Sequence, residues 1–312
     1  KLDFVITTDS AELREKIQQI KQLQEALTVF SKEQIVEKVA YTWFNRLMAL
    51  RFMDANDYQP LGIRIITPKD GYTTPEMLDE AKRGTINPDL KVNRQRVYDL
   101  LDGRIPSANP QNEAFKELLI AACNHLHSTF PFLFEKIDDY SELLLPDDLT
   151  SDFSIVTDVR NGMPVDDCKN VEIIGWLYQF YISEKKDEVF ASKAKVKKED
   201  IPAATQLFTP RWIVEYMVQN TLGKLWLQNR PNSHLREHMP YFIESESLKA
   251  EDYLKINSPE EIRLADPASG SGHILVYAFD LFTKIYEEEG YNTADIPKLI
   301  IEKNLYGFEI DE

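Results

Sequence analysis

Two cysteines, Cys123 and Cys168, are all that the 312 residues contain. That scarcity excludes a disulfide framework, and reduced thiols in a cytoplasmic protein are the simplest reading. Missing too are a signal-peptide pattern and any apolar run long enough to cross a bilayer, which argues against a membrane partner. Basic side chains are in deficit, 36 against 52 acidic ones, for a net charge of -16. Taken whole, the chain repels a polyphosphate, so a groove for nucleic acid must be local or lie elsewhere. There is no internal repeat and no low-complexity tract.

What is present fits a globular protein of roughly two domains, with a hydrophobic fraction of 43%. From Ala11 to Met53 apolar residues recur at helical spacing, from Leu13 and Ile17 through Leu27, then from Ile35 through Phe52. Two helices joined near Ser31 explain the pattern, with Ser31 as N-cap and Gln34 as its capping-box partner. Tyr58 to Pro110 reads as irregular connection, with a short strand at Ile63 to Ile66 and a helical stretch between Thr74 and Ala81. Helical periodicity returns at Glu113 to His127 and at Asn170 to Ser183. Glu184 to Pro202 has almost nothing to bury and is the best linker candidate. Its lysines, from Lys193 to Lys198, suit either a solvated loop or a strip that contacts phosphates. Past it, Thr209-Pro210 opens a helix with threonine as cap and proline in the first turn, carrying an apolar stripe from Ile213 to Leu225.

The chemistry concentrates near the end. Asp266-Pro267-Ala268-Ser269-Gly270-Ser271-Gly272-His273 follows a strand-like run, Ile262 to Ala265, and leads into a helix from Ile274 to Glu288. Gly270 and Gly272 allow a tight turn whose backbone N–H groups face a ligand with no side chain between. Leu305 to Glu309 reads as a second strand ending in a carboxylate, where parallel-sheet nucleotide folds hold ribose hydroxyls. A dinucleotide fingerprint wants a third glycine where Leu275 stands, and its acid about twenty residues on, whereas Glu309 lies 43 positions after Asp266. No Gly-Lys-Ser/Thr follows the glycines, which excludes a P-loop. A nicotinamide oxidoreductase is opposed on the same grounds.

The Asp-Pro-Ala-x-Gly-Ser-Gly form resembles motif I of the amino-group DNA methyltransferases, which bind S-adenosylmethionine (SAM). Ala204-Thr205-Gln206-Leu207-Phe208-Thr209-Pro210, with Ile213 to Met217, is similar to motif X of the N6-adenine enzymes of restriction-modification systems. Asn304 to Asp311 resembles their motif II, and the order X, I, II is theirs. Trp43 to Met53 narrows the resemblance to the PglX family, the methyltransferases of BREX phage-defence systems. The fold it implies is a mainly α N-terminal domain, residues 1–200, followed by a truncated start of an α/β, Rossmann-like SAM-dependent methyltransferase domain, residues 201–312. SAM carries a sulfonium and an ammonium, so carboxylates rather than lysines suit its site.

Carried over by resemblance, Phe208, Thr209 and Pro210 belong to the cofactor site. Thr209 and Pro210 would contact the methionine end of SAM, as would Pro267, Ala268, Ser269, Gly270, Ser271 and Gly272. Asp266 would sit near the methionyl ammonium, Glu309 would accept from both ribose hydroxyls, and Ile310 would pack on the adenine ring. The segment between motifs I and II is longer than in the smallest such enzymes, with Asp295 to Lys303 as an extra helix. Enzymes of this class also use an Asn/Asp-Pro-Pro-Tyr/Phe segment that holds the flipped base. No such tetrapeptide occurs here, so no catalytic residue is assigned, and double-stranded DNA is expected to be engaged through regions mostly outside the chain. Its start at Lys1 and its stop at Glu312 are read as those of a piece of a longer enzyme. A rival reading makes the helical part a module that docks other defence-system proteins, with a non-catalytic SAM pocket.

Other features draw plainer readings. Cys123, His125 and His127 sit two apart on a helix and point away from each other, so no metal site is assigned. His273 occupies an ordinary place for an exposed histidine. Trp43 and Phe44 lie in a helical stripe and read as core, not as a base-stacking platform.

Overall fold

In the computed structural model of the chain the described residues are 1–7, 13–14, 16–131, 133–170, 172–193, 195–197, 200–205, 209–244 and 253–309. The chain divides into two compact units, Lys1–Val171 and Glu172–Glu312. Among the described residues, no helix is long and apolar enough to cross a membrane.

The first unit is helical: α1 Leu2–Thr7, α2 Ile17–Val29, α3 Lys32–Ala55, α4 Glu76–Lys82, α5 Arg94–Leu101, α6 Pro110–Leu126 and α7 Ile155–Gly162. The capping box at the start of α3 forms as the sequence suggests. Ser31 Oγ accepts from the Gln34 N–H at 3.2 Å, and the Gln34 side chain accepts from the Ser31 N–H at 2.9 Å. Trp43 is buried and its indole N–H donates to the Ser141 carbonyl at 3.1 Å. The strand expected at Ile63 to Ile66 is instead a turn folded over the end of α3. The N–H groups of Ile65, Ile66 and Thr67 donate to the Asp54 carboxylate at 2.9 to 3.0 Å, so they have no strand to pair with. Asp54 is fully buried and also takes the Gln59 amide at 2.7 Å. Burial pushes its carboxyl above the usual range, and these N–H donors pull it back. The stretch expected to be irregular also contains α5, capped by Asn93, which packs on α6.

Cys123 lies on the buried face of α6, and burial pushes its thiol up to about 12. Cys168 is buried as well, its thiol raised by the same cause. His127 Nδ1 lies 2.8 Å from the Phe134 carbonyl oxygen. Among the described residues no group of three or more His, Cys, Asp or Glu side chains could hold a metal ion. A thiol reagent near pH 8 is therefore expected to leave both cysteines unmodified until denaturant is added, as read by intact mass.

The second unit opens with α8 Glu172–Ala191 and α9 Ile201–Thr205, followed by α10 Arg211–Val218 and α11 Lys224–Asn229. α8 thus runs through the first half of the stretch expected to be a linker. A π-turn, Gln219–Gly223, joins α10 to α11. Its Gln219 is fully buried, donating to Tyr277 Oη at 2.7 Å and accepting from the Tyr241 N–H at 2.7 Å. Next come β1 Leu264–Asp266, α12 His273–Glu288, α13 Ile296–Leu299, a second π-turn Ile300–Asn304, and β2 Leu305–Gly307. The strands are parallel, with Leu264, Ala265 and Asp266 opposite Leu305, Tyr306 and Gly307. α12 is the crossover between them, burying Ala278, Leu281, Phe282 and Ile285 in one core with Val214, Val218, Leu222 and Trp226. Both units together are mostly helix, with this two-stranded sheet as the only one among the described residues.

One buried residue sets the register of the sheet. Asn304, at the entry to β2, donates from Nδ2 to the carbonyls of Pro259 and Ile262, both at 2.8 Å, just before β1. Its Oδ1 accepts from Tyr286 Oη at 2.8 Å, so α12 is tied to both strand starts by a fully satisfied amide. Burial pushes the Tyr286 phenol up to about 12, which keeps it a donor.

Candidate cofactor site

The site grows from the C-terminal ends of the two strands. Asp266 closes β1 and is 6% exposed. Its carbonyl accepts from the Phe308 N–H at 2.9 Å, and the Phe308 carbonyl accepts in turn from the Ser269 N–H at 2.9 Å. The glycine loop is thereby stitched to the continuation of β2. Gly270 and Gly272 have φ of +53° and +83°, and a Cβ at either position would meet nothing within 4 Å. Left-handed backbone therefore makes these positions glycine, and the space beside them is open. Gly272 is the N-cap of α12, and its carbonyl accepts from the Val276 N–H at 2.8 Å.

Two carboxylates flank the loop. Asp266 Oδ1 accepts from the Ala268 N–H at 3.2 Å, while Oδ2 is buried with no hydrogen-bond partner among the described residues. A buried carboxylate oxygen left in that condition carries a desolvation cost that a cationic donor removes. Glu309 follows the end of β2 and accepts from the Gly270 N–H, so the structure brings the two motif ends together.

The other expected residues are distributed around this centre. Pro267, Ala268, Ser269 and Ser271 complete the loop between β1 and α12. Pro210 takes the N-cap place of α10 with extended backbone, φ -53° and ψ 140°, and no side chain caps that helix. The Pro210 carbonyl itself accepts from Ile213 and Val214 N–H at 2.9 and 3.2 Å, so Thr209 lies outside the helix and proline precedes the first turn. Phe208 and Ile310 lie outside the described residues.

Several neighbours of the loop are not marked by any motif. Gly307 packs so closely that an added Cβ would lie 2.8 Å from Leu275 Cδ1 and 3.4 Å from Ser269 Oγ. The close helix–strand approach that a third loop glycine gives a dinucleotide fold is here placed in the strand, which frees Leu275 to be large. His273, expected to be exposed, is half-buried: its Nε2 lies 2.8 Å from Ser271 Oγ, and its ring faces Gly175 of α8. Arg211, the first residue of α10, donates to Glu172 at 2.9 Å and to Glu215 at 2.7 Å, and lies 5.8 Å from the centre of the Tyr277 ring.

Burial lowers the His273 imidazole below its ordinary 6.5, and the Glu172 carboxylate draws it part of the way back. A histidine with a depressed folded-state value contributes stability above 6.5 that is lost as pH falls through that lower value. A proton NMR titration is expected to place the His273 midpoint below 6.5 in the folded chain and at the ordinary value after unfolding.

No family model matches the sequence. Among curated proteins, two relatives are named adenine-specific methyltransferases. One is BrxX of Escherichia coli O9:H4 (strain HS), 46% identical over an alignment of 289 residues that covers 90% of this chain and 23% of that protein. The other is PglX of Lacticaseibacillus casei (strain Zhang), 37% identical over an alignment of 294 residues that covers 89% of this chain and 24% of that protein. The chain spans about a quarter of the length of the curated relatives it matches.

Proposed function

We propose that this chain is the SAM-binding part of a DNA adenine-N6 methyltransferase of a phage-defence system of the BREX kind. The observation that carries the reading is Asp266: a buried carboxylate at the end of β1, with one oxygen on its own loop and the other lacking a partner among the described residues. The open space beside Gly270 and Gly272 and the absence of lysine and arginine from 264–273 suit a ligand bearing a sulfonium and an ammonium. The parallel β1–α12–β2 crossover is then the opening of a Rossmann-like sheet.

SAM, when bound, supplies a methyl group on a positively charged sulfur. The residues of this chain hold and orient it. Asp266 Oδ2 would accept from the ammonium. The backbone of Pro267 to Gly272, with Thr209 and Pro210, would enclose the methionine end, to which the resemblance also assigns Phe208. Glu309 would accept from the ribose hydroxyls, and the resemblance assigns Ile310 to the adenine. Orientation is the main contribution of such a half-site, because in-line transfer requires the methyl to face the incoming nitrogen. The amide and carbonyl that would accept from the exocyclic amine of a flipped adenine, and the aromatic ring that would stack on it, belong to an Asn-Pro-Pro-Tyr type segment that the 312 residues do not contain.

A transfer assay with methyl-tritiated SAM and double-stranded DNA tests this division of labour. The chain alone is expected to label no DNA. Exchanged for the matching 289 residues of the E. coli relative, it is expected to give label at adenine N6. Label from the chain alone, or none at adenine from the exchanged protein while the unaltered relative labels it, would contradict the proposal.

A further inference from the structure

Glu172 and Gly175 lie three residues apart in the first turn of α8, so both face the same way. Each meets a different segment of the proposed cofactor site. Glu172 accepts from Arg211 Nη1 at 2.9 Å, and Arg211 directly follows Thr209-Pro210. Gly175 is buried against the glycine loop: an added Cβ would lie 2.5 Å from His273 Cε1, 2.7 Å from Ser271 Oγ and 2.9 Å from His273 Nε2. Separations near 2.5 Å are not found for a real Cβ, so any side chain at 175 must push the Ser271–His273 pair aside. That pair straddles Gly272, whose left-handed backbone turns the loop into α12.

We infer that the first turn of α8 is a brace for the cofactor site, with Gly175 a positioning residue that sets the place of the Ser271–His273 segment and Glu172 one that holds α10 through Arg211. The inference rests on the cofactor reading above. It adds an element about 90 residues upstream of the glycine loop that touches no part of the ligand itself. Gly175 costs α8 helical stability, since alanine is favoured over glycine inside a helix by about 1 kcal/mol. The close approach accounts for a glycine at this position despite that cost.

The test is a double-mutant cycle on the full chain with Gly175→Ala, His273→Ala and the pair, read by calorimetric titration with SAM and by hydrogen exchange of the 267–273 amides without ligand. Gly175→Ala is expected to weaken SAM binding about tenfold and speed exchange in the loop, while leaving the melting temperature equal or higher. Removing the ring that the new methyl strikes is expected to restore binding, so that the pair falls within about twofold of His273→Ala alone. Unchanged loop exchange in Gly175→Ala, unchanged affinity, or a pair whose loss is the product of the two single losses would each overturn the inference. Failure of the parent chain to bind SAM would overturn the cofactor reading, and the exchange rates would then decide by themselves whether the brace exists.

Discussion

Replacing Asp266 with alanine is expected to weaken SAM binding at least about a hundredfold, the scale of losing one side of a buried charge-assisted hydrogen bond. Two effects add at this residue. Alanine removes the oxygen that holds the Ala268 N–H and with it one tether of the loop, and it removes the buried oxygen that has no partner among the described residues. Asp266→Asn separates them. Asparagine can keep the bond to Ala268 through its carbonyl, but it turns an N–H₂ donor toward the place where the ligand's ammonium belongs. If charge recognition dominates, as proposed, the asparagine variant binds nearly as poorly as the alanine variant while melting close to the parent. If loop anchoring dominates, asparagine binds close to the parent. Glu309→Ala is expected to cost less, about tenfold, because that carboxylate is exposed, so the hydrogen bonds it would make to ligand hydroxyls compete with water.

The largest stability effect is expected in the first unit, where Asp54→Ala should destabilise by about 4 kcal/mol. The Asp54 carboxylate is the terminus of three backbone N–H groups in the turn 65–67 and of the Gln59 amide. Ile65 and Ile66 are fully buried, so water cannot replace the lost acceptor. The loss also spreads to Arg51, which donates to Thr67 Oγ1 at 3.1 Å and to the Met163 carbonyl at 2.8 Å, joining the turn to α3 and to the end of α7. Asp54→Asn keeps one acceptor oxygen but sets an N–H₂ against N–H donors, and about half the loss is expected. Urea denaturation followed by far-UV circular dichroism measures both, with a lower midpoint at unchanged slope as the expected form.

What the amino-acid order reveals here is what depends on neighbours a few residues apart. The Ser31–Gln34 capping box, the long helix after it, the glycine loop and the short strands on either side are local patterns, and each forms. The short helices α5 and α7 span only about two turns, too few for their apolar residues to establish a repeat, although their N-caps Asn93 and Ser154 were available as signals. Ile63 to Ile66 has the apolar, β-branched composition of a strand. It becomes a turn because its N–H groups are claimed by an aspartate about ten residues earlier, and composition carries no trace of that competition. Motif spacing marked Asp266, Gly270, Gly272 and Glu309, which the structure gathers at one end of the sheet. Gly175 and Arg211 reach the same place through packing across long stretches of chain, and only coordinates reveal that.

Whether the ends of β1 and β2 hold SAM is tested by a calorimetric titration of the chain with SAM, repeated with NAD and with Asp266→Ala. Saturable binding of one SAM per chain, no heat from NAD and loss of the SAM signal in the variant are expected. Saturable NAD binding, or SAM binding that survives Asp266→Ala undiminished, would contradict the cofactor reading.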